Sequence, residues 1–304
     1  MFSQLTKTDR SKGILMSLLG VFMLSPDGLI IRILGLDNAT LLFYRGIFSA
    51  IAITALLLLY YRKRFLSVVL GIGWVGILNG FMFSVTNIAF INSIQLTSVA
   101  NTILILSSAP VFAAILSLII LKENQKPLTW LIIAISFIAI FIIGFGSYGS
   151  GSFLGDMIAL VCAASTGFSA VLARLKKDID LVPSIVVGSV ITALYALASG
   201  PISSVDSTQL IYLSAQCLVF IPLAYAIITI APRFTSSAEV QLVFLLESIL
   251  GPLWVWIVIS ETPPINTIIG GSLLLASVFW FAIDSVGKSA DKVDDVASIN
   301  RDNE

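Results

Sequence analysis

Apolar runs of about 20 residues, the length of helix that crosses the hydrocarbon core of a bilayer, alternate with short polar stretches along almost the whole chain. The pattern predicts an all-α polytopic membrane protein with ten transmembrane helices and the lipid bilayer as its surroundings. The predicted spans are residues 13–34, 39–60, 67–91, 97–120, 128–147, 154–174, 181–199, 208–230, 236–259 and 265–284.

Composition supports this class of protein. Of the 304 residues, 58% are hydrophobic and 11% are charged, whereas soluble domains have about 25% charged residues. The formal net charge is +0 at pH 7. There is therefore no basic surplus that would indicate a nucleic acid partner.

Basic residues are distributed unevenly between the two sides of the predicted helices. All of the 17 Lys and Arg residues except Arg32 and Arg45 fall on one side. Because basic loops stay in the cytoplasm, we expect both termini there and the protein in the cytoplasmic (inner) membrane. Residues 1–12 are the predicted cytoplasmic N-terminus, and residues 285–304 are a polar tail predicted to be disordered. Neither Lys nor Arg occurs in the connections near residues 36, 93, 150, 203 and 263.

The chain contains an internal duplication. A shift of 138 residues aligns "TSVANTIL" (97–104) with "TSSAEVQL" (235–242) and Glu123 with Glu261, and a shift of 142 aligns Arg32 with Arg174. The predicted repeats are residues 13–147 and residues 148–284. Since each has five helices, the second enters the membrane in the opposite orientation. Inverted repeats are typical of secondary transporters.

Three stretches resemble a known family. They are "FYRG" (43–46), "SSAPVFAAILSLIILKE" (107–123) and "LLESILGPLWVWIVISE" (245–261), which resemble the EamA repeats of the drug/metabolite transporter superfamily over residues 13–284. The resemblance implies ten helices around a central pathway that carries small metabolites such as amino acids or their derivatives, often outward. Family members often have Glu-Pro in the ninth helix, whereas this chain has Glu247-Ser248, which leaves the position of that kink open.

The first span contains "SPDG", an interruption that its apolar surroundings do not explain. Ser25 suits an N-cap, Pro26 suits the first position of a restarted helix, and Asp27 suits its positive end; Gly28 completes the predicted kink. Two interpretations follow. Either the segment is a structural kink that satisfies Asp27 locally, or it lines the pathway and Asp27 binds a substrate cation or a proton.

Two further charges lie within the predicted spans. Arg45 forms either an ion pair with Asp27 or Glu247, or a clamp for a substrate carboxylate. Arg32 is closer to the surface and is expected to reach the water there. Glu247, at mid-span among leucine and isoleucine, is a candidate for proton uptake, with a neutral carboxyl hydrogen-bonded to a neighbouring helix as the alternative.

Several neutral residues complete the predicted pathway. Asn101 and Ser108 share a face of the fourth span, as a polar lining or as packing residues. Asn87 lies on a small-residue face of the third span, where packing or contact with the cavity are the alternatives. Trp254, in the outer half of the ninth span, either packs or lines the route.

Enzymatic chemistry is not predicted. The chain contains no histidine, and its two cysteines, Cys162 and Cys217, lack metal-ligand spacing. No G-x-x-x-x-G-K-[ST] motif for ATP is present. We therefore predict a secondary transporter without cofactor or metal, moving a small polar metabolite such as an amino-acid-like zwitterion, with protons as the candidate coupling ion. The alternative is a non-transporting receptor or assembly subunit. The pattern makes no prediction of oligomeric state.

Overall fold

The structure is a computed structural model that describes residues 7–122, 127–147, 152–176, 179–230, 234, 243 and 245–280. The described residues form helices and their connections, without strands. The α-helices are α1 Lys7–Leu24, α2 Asp27–Leu34, α3 Asn38–Tyr61, α4 Phe65–Leu70, α5 Gly73–Leu96, α6 Val99–Leu106, α7 Ala109–Ile120, α8 Pro127–Ser147, α9 Phe153–Leu175, α10 Val182–Ser199, α11 Ser207–Ser214, α12 Ile221–Ile230, α13 Glu247–Ile259 and α14 Ile265–Trp280.

Eight helical stretches within the described residues are long and apolar enough to cross a membrane. They correspond to the first eight predicted spans. The shorter apolar helices α13 and α14 correspond to the ninth and tenth. Residues 236–242, 244 and 281–284 of these two spans lie outside the described residues. The prediction of an all-α, multi-pass integral membrane protein is confirmed.

Within the described residues, turns divide two spans into shorter helices. A turn at Ser25–Pro26 separates α1 from α2, and a turn at Ser107–Ser108 separates α6 from α7. In the ninth span a turn at Leu245–Leu246 precedes α13, which then continues through Pro252. The kink left open by the sequence therefore lies before Glu247.

Main-chain hydrogen bonds at the second and third of these turns match one another. Ser108 N–H donates to the Ile105 carbonyl at 3.0 Å, and Val111 N–H donates to the Ser108 carbonyl at 2.8 Å. The corresponding bonds 138 residues later join Leu246 to Val243 at 3.0 Å and Ile249 to Leu246 at 3.1 Å. Both turns thus have the tighter i→i−3 spacing of a 3₁₀ turn.

Helices from the two predicted repeats pack against each other. Helix α3 packs along α10, α5 along α9, α1 along α12, and α6 along α13. Gly46 shows how closely α3 and α10 approach, because a Cβ at this position would lie 2.7 Å from the Ser189 carbonyl oxygen. Such contacts need a residue without a side chain. A buried apolar cluster that includes Leu41, Ile91 and Val99 surrounds α2 and holds this short helix in the interior.

Candidate functional site

Asp27 and Arg45 form an ion pair inside the helical bundle. Asp27 is the first residue of α2, and Arg45 lies two turns into α3. Arg45 Nη1 donates to Asp27 Oδ1 at 2.6 Å, and Nη2 donates to Oδ2 at 3.0 Å. The two side chains are 16% and 8% exposed for Asp27 and Arg45, respectively. A two-point contact of this kind orients the guanidinium and carboxylate planes as well as pairing their charges. The structure contains the ion pair of Arg45 with Asp27, and a clamp for a substrate carboxylate stays a prediction.

A second partner reaches Asp27 from the second half of the chain. Gln216 is 3% exposed, and its Nε2 donates a hydrogen bond to Asp27 Oδ1. It lies in a π-helical segment, Ala215–Phe220, which interrupts the eighth span. Such segments are rare and frequently occur at functional sites. Cys217 follows it, fully buried, and interacts electrostatically with both Asp27 and Arg45.

The ninth span supplies two residues on the same side of the break. Glu247 lies half-buried in the first turn of α13, close enough to Asp27 for the two charges to interact. Trp254, two turns further, donates from Nε1 to Ser25 Oγ at 2.9 Å. Its ring also meets Phe22 edge-on, with 5.7 Å between the centroids. Trp254 therefore lies at the break in the first span, and Glu247 lies within electrostatic range of Asp27, the first residue after that break.

The break itself differs in detail from the prediction. Ser25 does not cap α2: the N-cap is Pro26, without a side-chain hydrogen bond. Ser25 Oγ instead donates to the Phe22 carbonyl at 3.1 Å. The physical reason is that Pro26 has no N–H to give to the carbonyl four residues earlier, so the serine hydroxyl replaces that donor. The prediction for Ser25 as an N-cap is wrong, whereas the interruption at Ser25–Pro26 is present.

Gly28 serves close packing and not the break. It lies within α2 and is buried, and a Cβ there would lie 2.5 Å from Val99 Cγ1. Since Val99 is fully buried at the start of α6, it has little room to move away. Gly28 therefore permits α2 to contact α6.

Asn101 belongs to a separate buried polar cluster. Its Nδ2 donates to Asp156 Oδ1 at 3.0 Å, and its Oδ1 accepts from the Thr267 hydroxyl. Thr97 Oγ1 also donates to Asp156 Oδ1, at 2.7 Å. Asp156 is 0% exposed and was not singled out from the sequence. An isolated acid two residues inside the predicted span 154–174 was the feature that could have indicated it.

Ser108 and Asn87 have partners within their own helical segments. Ser108 Oγ donates to the Ile105 carbonyl at 2.6 Å, and Asn87 Nδ2 donates to the Phe83 carbonyl at 3.0 Å. Ser108 is fully buried at the turn between α6 and α7, and Asn87 is half-buried. Their polar groups thus satisfy local main-chain carbonyls.

Arg32 has two partners that the sequence did not indicate. Its Nε lies 3.3 Å from Glu261 Oε2, and its Nη2 donates to the Thr97 carbonyl at 2.6 Å. The side chain is 26% exposed. That it reaches the water at the membrane surface stays a prediction.

A polar cleft opens near the ion pair. It has a volume of about 570 Å³ and lies at the start of α3, beside the connection between α10 and α11. Leu42, one turn before Arg45, is part of its wall. The polar residues that line the cleft are Asp37, Asn38, Asn92, Tyr195, Ser199 and Ser203. Of the residues described, no three His, Cys, Asp or Glu side chains are grouped so as to hold a metal ion.

Comparisons with known proteins agree with this architecture. A crystal structure of another protein is similar to this chain, with a TM-score of 0.60 and 16% sequence identity over 88% of this chain and 96% of the other. At that identity the likeness concerns the fold alone. No curated protein matches the sequence. Residues 11–145 match the EamA-like transporter family, whose members are typically non-enzymatic membrane transporters. This part of the chain is an EamA-like transporter family domain.

Proposed function

We propose that the protein is a secondary transporter that moves a small zwitterionic metabolite, amino-acid-like in size, across the cytoplasmic membrane by alternating access. The observation that carries the proposal is the buried Asp27–Arg45 pair at a helix break, contacted by Gln216 from the second half of the chain. In this proposal both termini are cytoplasmic, since the connections rich in Lys and Arg lie on their side of the membrane.

Ten helices in two inverted repeats, residues 13–147 and 148–284, complete the proposal. Matching turns 138 residues apart, at Ser107–Ser108 and Leu245–Leu246, support the duplication. The packing supports it as well. If the halves are related by a two-fold axis, the contact between the third and sixth spans is equivalent to the contact between the eighth and first spans. Both contacts are present, because α5 of the third span packs on α9 of the sixth, and α12 of the eighth packs on α1 of the first.

The chemistry of the pair favours a substrate with both charges. A carboxylate can replace Asp27 on the Arg45 guanidinium with the same two-point geometry, and an ammonium group can replace Arg45 on Asp27. A substrate of one sign would satisfy one member of the pair and leave the other buried without a counter-charge, which is costly in an apolar interior. A zwitterion satisfies both.

Glu247 is the proposed site of proton coupling. It is a half-buried carboxyl in electrostatic range of Asp27. Because two nearby carboxylates repel each other, the charge state of Glu247 affects how easily Asp27 releases Arg45 and accepts an ammonium group. Protonation of Glu247 and substrate binding are thereby linked.

Flux measured in proteoliposomes tests the substrate class. Amino acids, polyamines, organic acids and sugars are compared, and we expect amino acids or their derivatives to give the highest flux. Arg45→Gln should abolish this flux, whereas Arg64→Gln, at an exposed position, should leave it unchanged. A preference for sugars would contradict the charge-matched site. Absence of flux for every substrate would favour the receptor or assembly subunit.

Glu247→Gln tests the coupling. With a neutral amide at this position, exchange of labelled for unlabelled substrate should continue, while accumulation driven by a pH gradient should be lost. Retention of pH-driven accumulation in the folded variant would overturn the role of Glu247 and leave the substrate proposal standing.

A further inference from the structure

Helix α2 is a short segment that is held at both ends. It has eight residues, with Asp27 in its first turn and Arg32 in its last. The break at Ser25–Pro26 separates it from α1, and Gly35, with φ of 59°, ends it in the left-handed region. Such a segment can tilt as a unit, because its two ends are the places where the chain already changes direction.

The far end of α2 has two polar attachments: Gln209 Nε2 donates to the Leu34 carbonyl at 2.9 Å, and the Arg32 side chain forms the other. Arg32 contacts Glu261 through Nε at 3.3 Å and the Thr97 carbonyl through Nη2 at 2.6 Å. Glu261 also accepts a hydrogen bond from Val99 N–H, at 3.1 Å. We name these four residues, Arg32, Thr97, Val99 and Glu261, the α2 clasp. It joins α2 to the start of α6 and to the connection between α13 and α14.

One side of the α2 clasp is anchored rigidly. Thr97 is 4% exposed, and its hydroxyl bonds to Asp156, which is itself fully buried and bound to Asn101. Thr97 is therefore fixed to α9 independently of Arg32. If the clasp opens, Thr97 therefore stays in place.

The two ion pairs on α2 differ in solvent exposure, and the more exposed pair is the one in the clasp. Arg32 and Glu261 are each 26% exposed, so water can replace their mutual contact when they separate. Asp27 and Arg45 are 16% and 8% exposed, and separating them without a substrate leaves two charges in an apolar interior. The Arg32 end can thus open by itself, while the Asp27 end needs an exchange of partners.

We propose that Arg32 and Glu261 control access to the Asp27 site: while they are paired, α2 covers the site from the face that carries residues 35–37 and 261–264, and their separation lets α2 tilt and expose it. Both are positioning residues, since they act on the site through α2. The inference rests on the proposed function only in taking the Asp27 site as the place where substrate binds.

Cys217 provides a reporter within the site that does not depend on transport. It is fully buried beside Gln216 and interacts with Asp27 and Arg45. The chain has two cysteines, so Cys162→Ser leaves Cys217 as the only thiol. The rate of its modification by a membrane-impermeant thiol reagent, applied to right-side-out and to inverted vesicles, measures access to the site from each face.

Arg32→Gln and Glu261→Gln should each raise the rate of Cys217 modification about two- to fivefold, the effect of losing one partly exposed ion pair. The increase should be seen only from the face that carries residues 261–264. Arg64→Gln is the control for loss of a surface charge and should have no effect. Arg32→Lys should keep most of the protection. The exchanged pair Arg32→Glu with Glu261→Arg should restore the part of the protection that comes from the ion pair, but not the part that comes from the bonds to the Thr97 carbonyl and the Val99 N–H.

Unchanged modification rates in both single variants would overturn the proposal, as would an increase from the opposite face. If the single variants lost their fold, modification would rise from both faces and the exchanged pair would decide the outcome, since failure to restore protection contradicts pairing. If Cys217 modification changed as expected but no variant showed flux, the transport function would be contradicted and the role of α2 in access would remain.

Discussion

Individual residues acquire their roles here from partners that are far away in the sequence. Asp27 is bound by Arg45, 18 residues later, and by Gln216, 189 residues later. Trp254 reaches back to Ser25. The residues at the break in the first span therefore act as one group, in which the loss of one member leaves its partners buried and unsatisfied.

The Asp27–Arg45 pair predicts a specific pattern of stability and flux. Asp27→Asn leaves Arg45 buried without its counter-charge and should lower the free energy of unfolding by about 3 kcal/mol. The double variant Asp27→Asn with Arg45→Gln should regain most of that loss, because no unpaired charge remains. Both should lack flux. Thermal unfolding in detergent, with Arg64→Gln as the control, measures the first effect; additive losses in the double variant would contradict a coupled pair.

Asp37 predicts a dependence of stability on acid pH. Burial raises the pKa of Asp37, but hydrogen bonds from the Thr40 main chain, the Ser203 hydroxyl and the Thr40 hydroxyl outweigh it and hold the pKa below its ordinary value of 3.8. A lowered pKa stabilises the folded protein above the unfolded value, and that contribution is lost as the pH falls through the folded value.

Wild-type protein should therefore lose more thermal stability than Asp37→Asn between about pH 6 and about pH 3, because an amide has no proton to take up in this range. Asp206→Asn, at the N-cap of α11, is the matched control for a change of cap. Equal losses in wild type and Asp37→Asn would show that the hydrogen bonds to Asp37 do not contribute in this way.

Single charges in apolar spans were the residues that the sequence could identify. Asp27, Arg45 and Glu247 stand out because ionisable groups are rare at such depth, and the structure brings them close together. Gln216 could not be found in this way, since a neutral amide is common and its contact with Asp27 depends on a local π-helix. Asp156 was missed because it lies next to a predicted span boundary, where an acid is unremarkable.

At the level of helices, close packing depends on a few glycines. Gly46→Ala should be strongly destabilising, because its Cβ would lie 2.7 Å from the Ser189 carbonyl and 2.8 Å from the Ala193 nitrogen, both main-chain atoms that cannot rotate away. We expect a loss of about 1 to 3 kcal/mol.

Gly144→Ala is the matched control for that substitution. Gly144 lies in α8, and a Cβ there would meet its nearest neighbour at an ordinary 3.9 Å. Since alanine favours helix more than glycine does, this variant should be neutral or slightly stabilised. Thermal unfolding of the two variants in detergent checks both; similar stability would contradict a contact of α3 with α10 at this distance.

The sequence could indicate one helix break and not the others. Pro26 removes a main-chain donor, which predicts an interruption in the first span. Nothing comparable marks Leu245–Leu246, two residues that favour helix, and there the interruption became apparent from the main-chain hydrogen bonds alone. The predicted role of Ser25 was wrong for a similar reason. A serine at this position can cap the next helix or donate to a free carbonyl of the previous helix, and the local geometry, not the sequence, decides between the two.

Considered as a whole, the molecule makes a prediction about topology. If it has ten spans, the connections at Asp37, Ser204 and Thr262 lie on one face and Lys63 lies on the other. Cysteines placed singly at these positions, in a background without Cys162 and Cys217, should be modified from the corresponding face by an impermeant reagent. If the Thr262→Cys variant were modified from the same face as the Lys63→Cys variant, the ten-span arrangement would be contradicted, and with it the inverted repeat.

The turns at Ser107–Ser108 and Leu245–Leu246 also bear on how such a protein can evolve. Each places the start of a helix, and therefore the positive end of its dipole, within the span. Main-chain dipoles do not depend on the identity of the side chains, so most point mutations leave them in place. The electrostatic field that favours anions at these helix ends is thus inherited with the fold. Side chains such as Asp27 and Gln216 can change together with their partners, so a change of substrate can proceed without redesign of the scaffold.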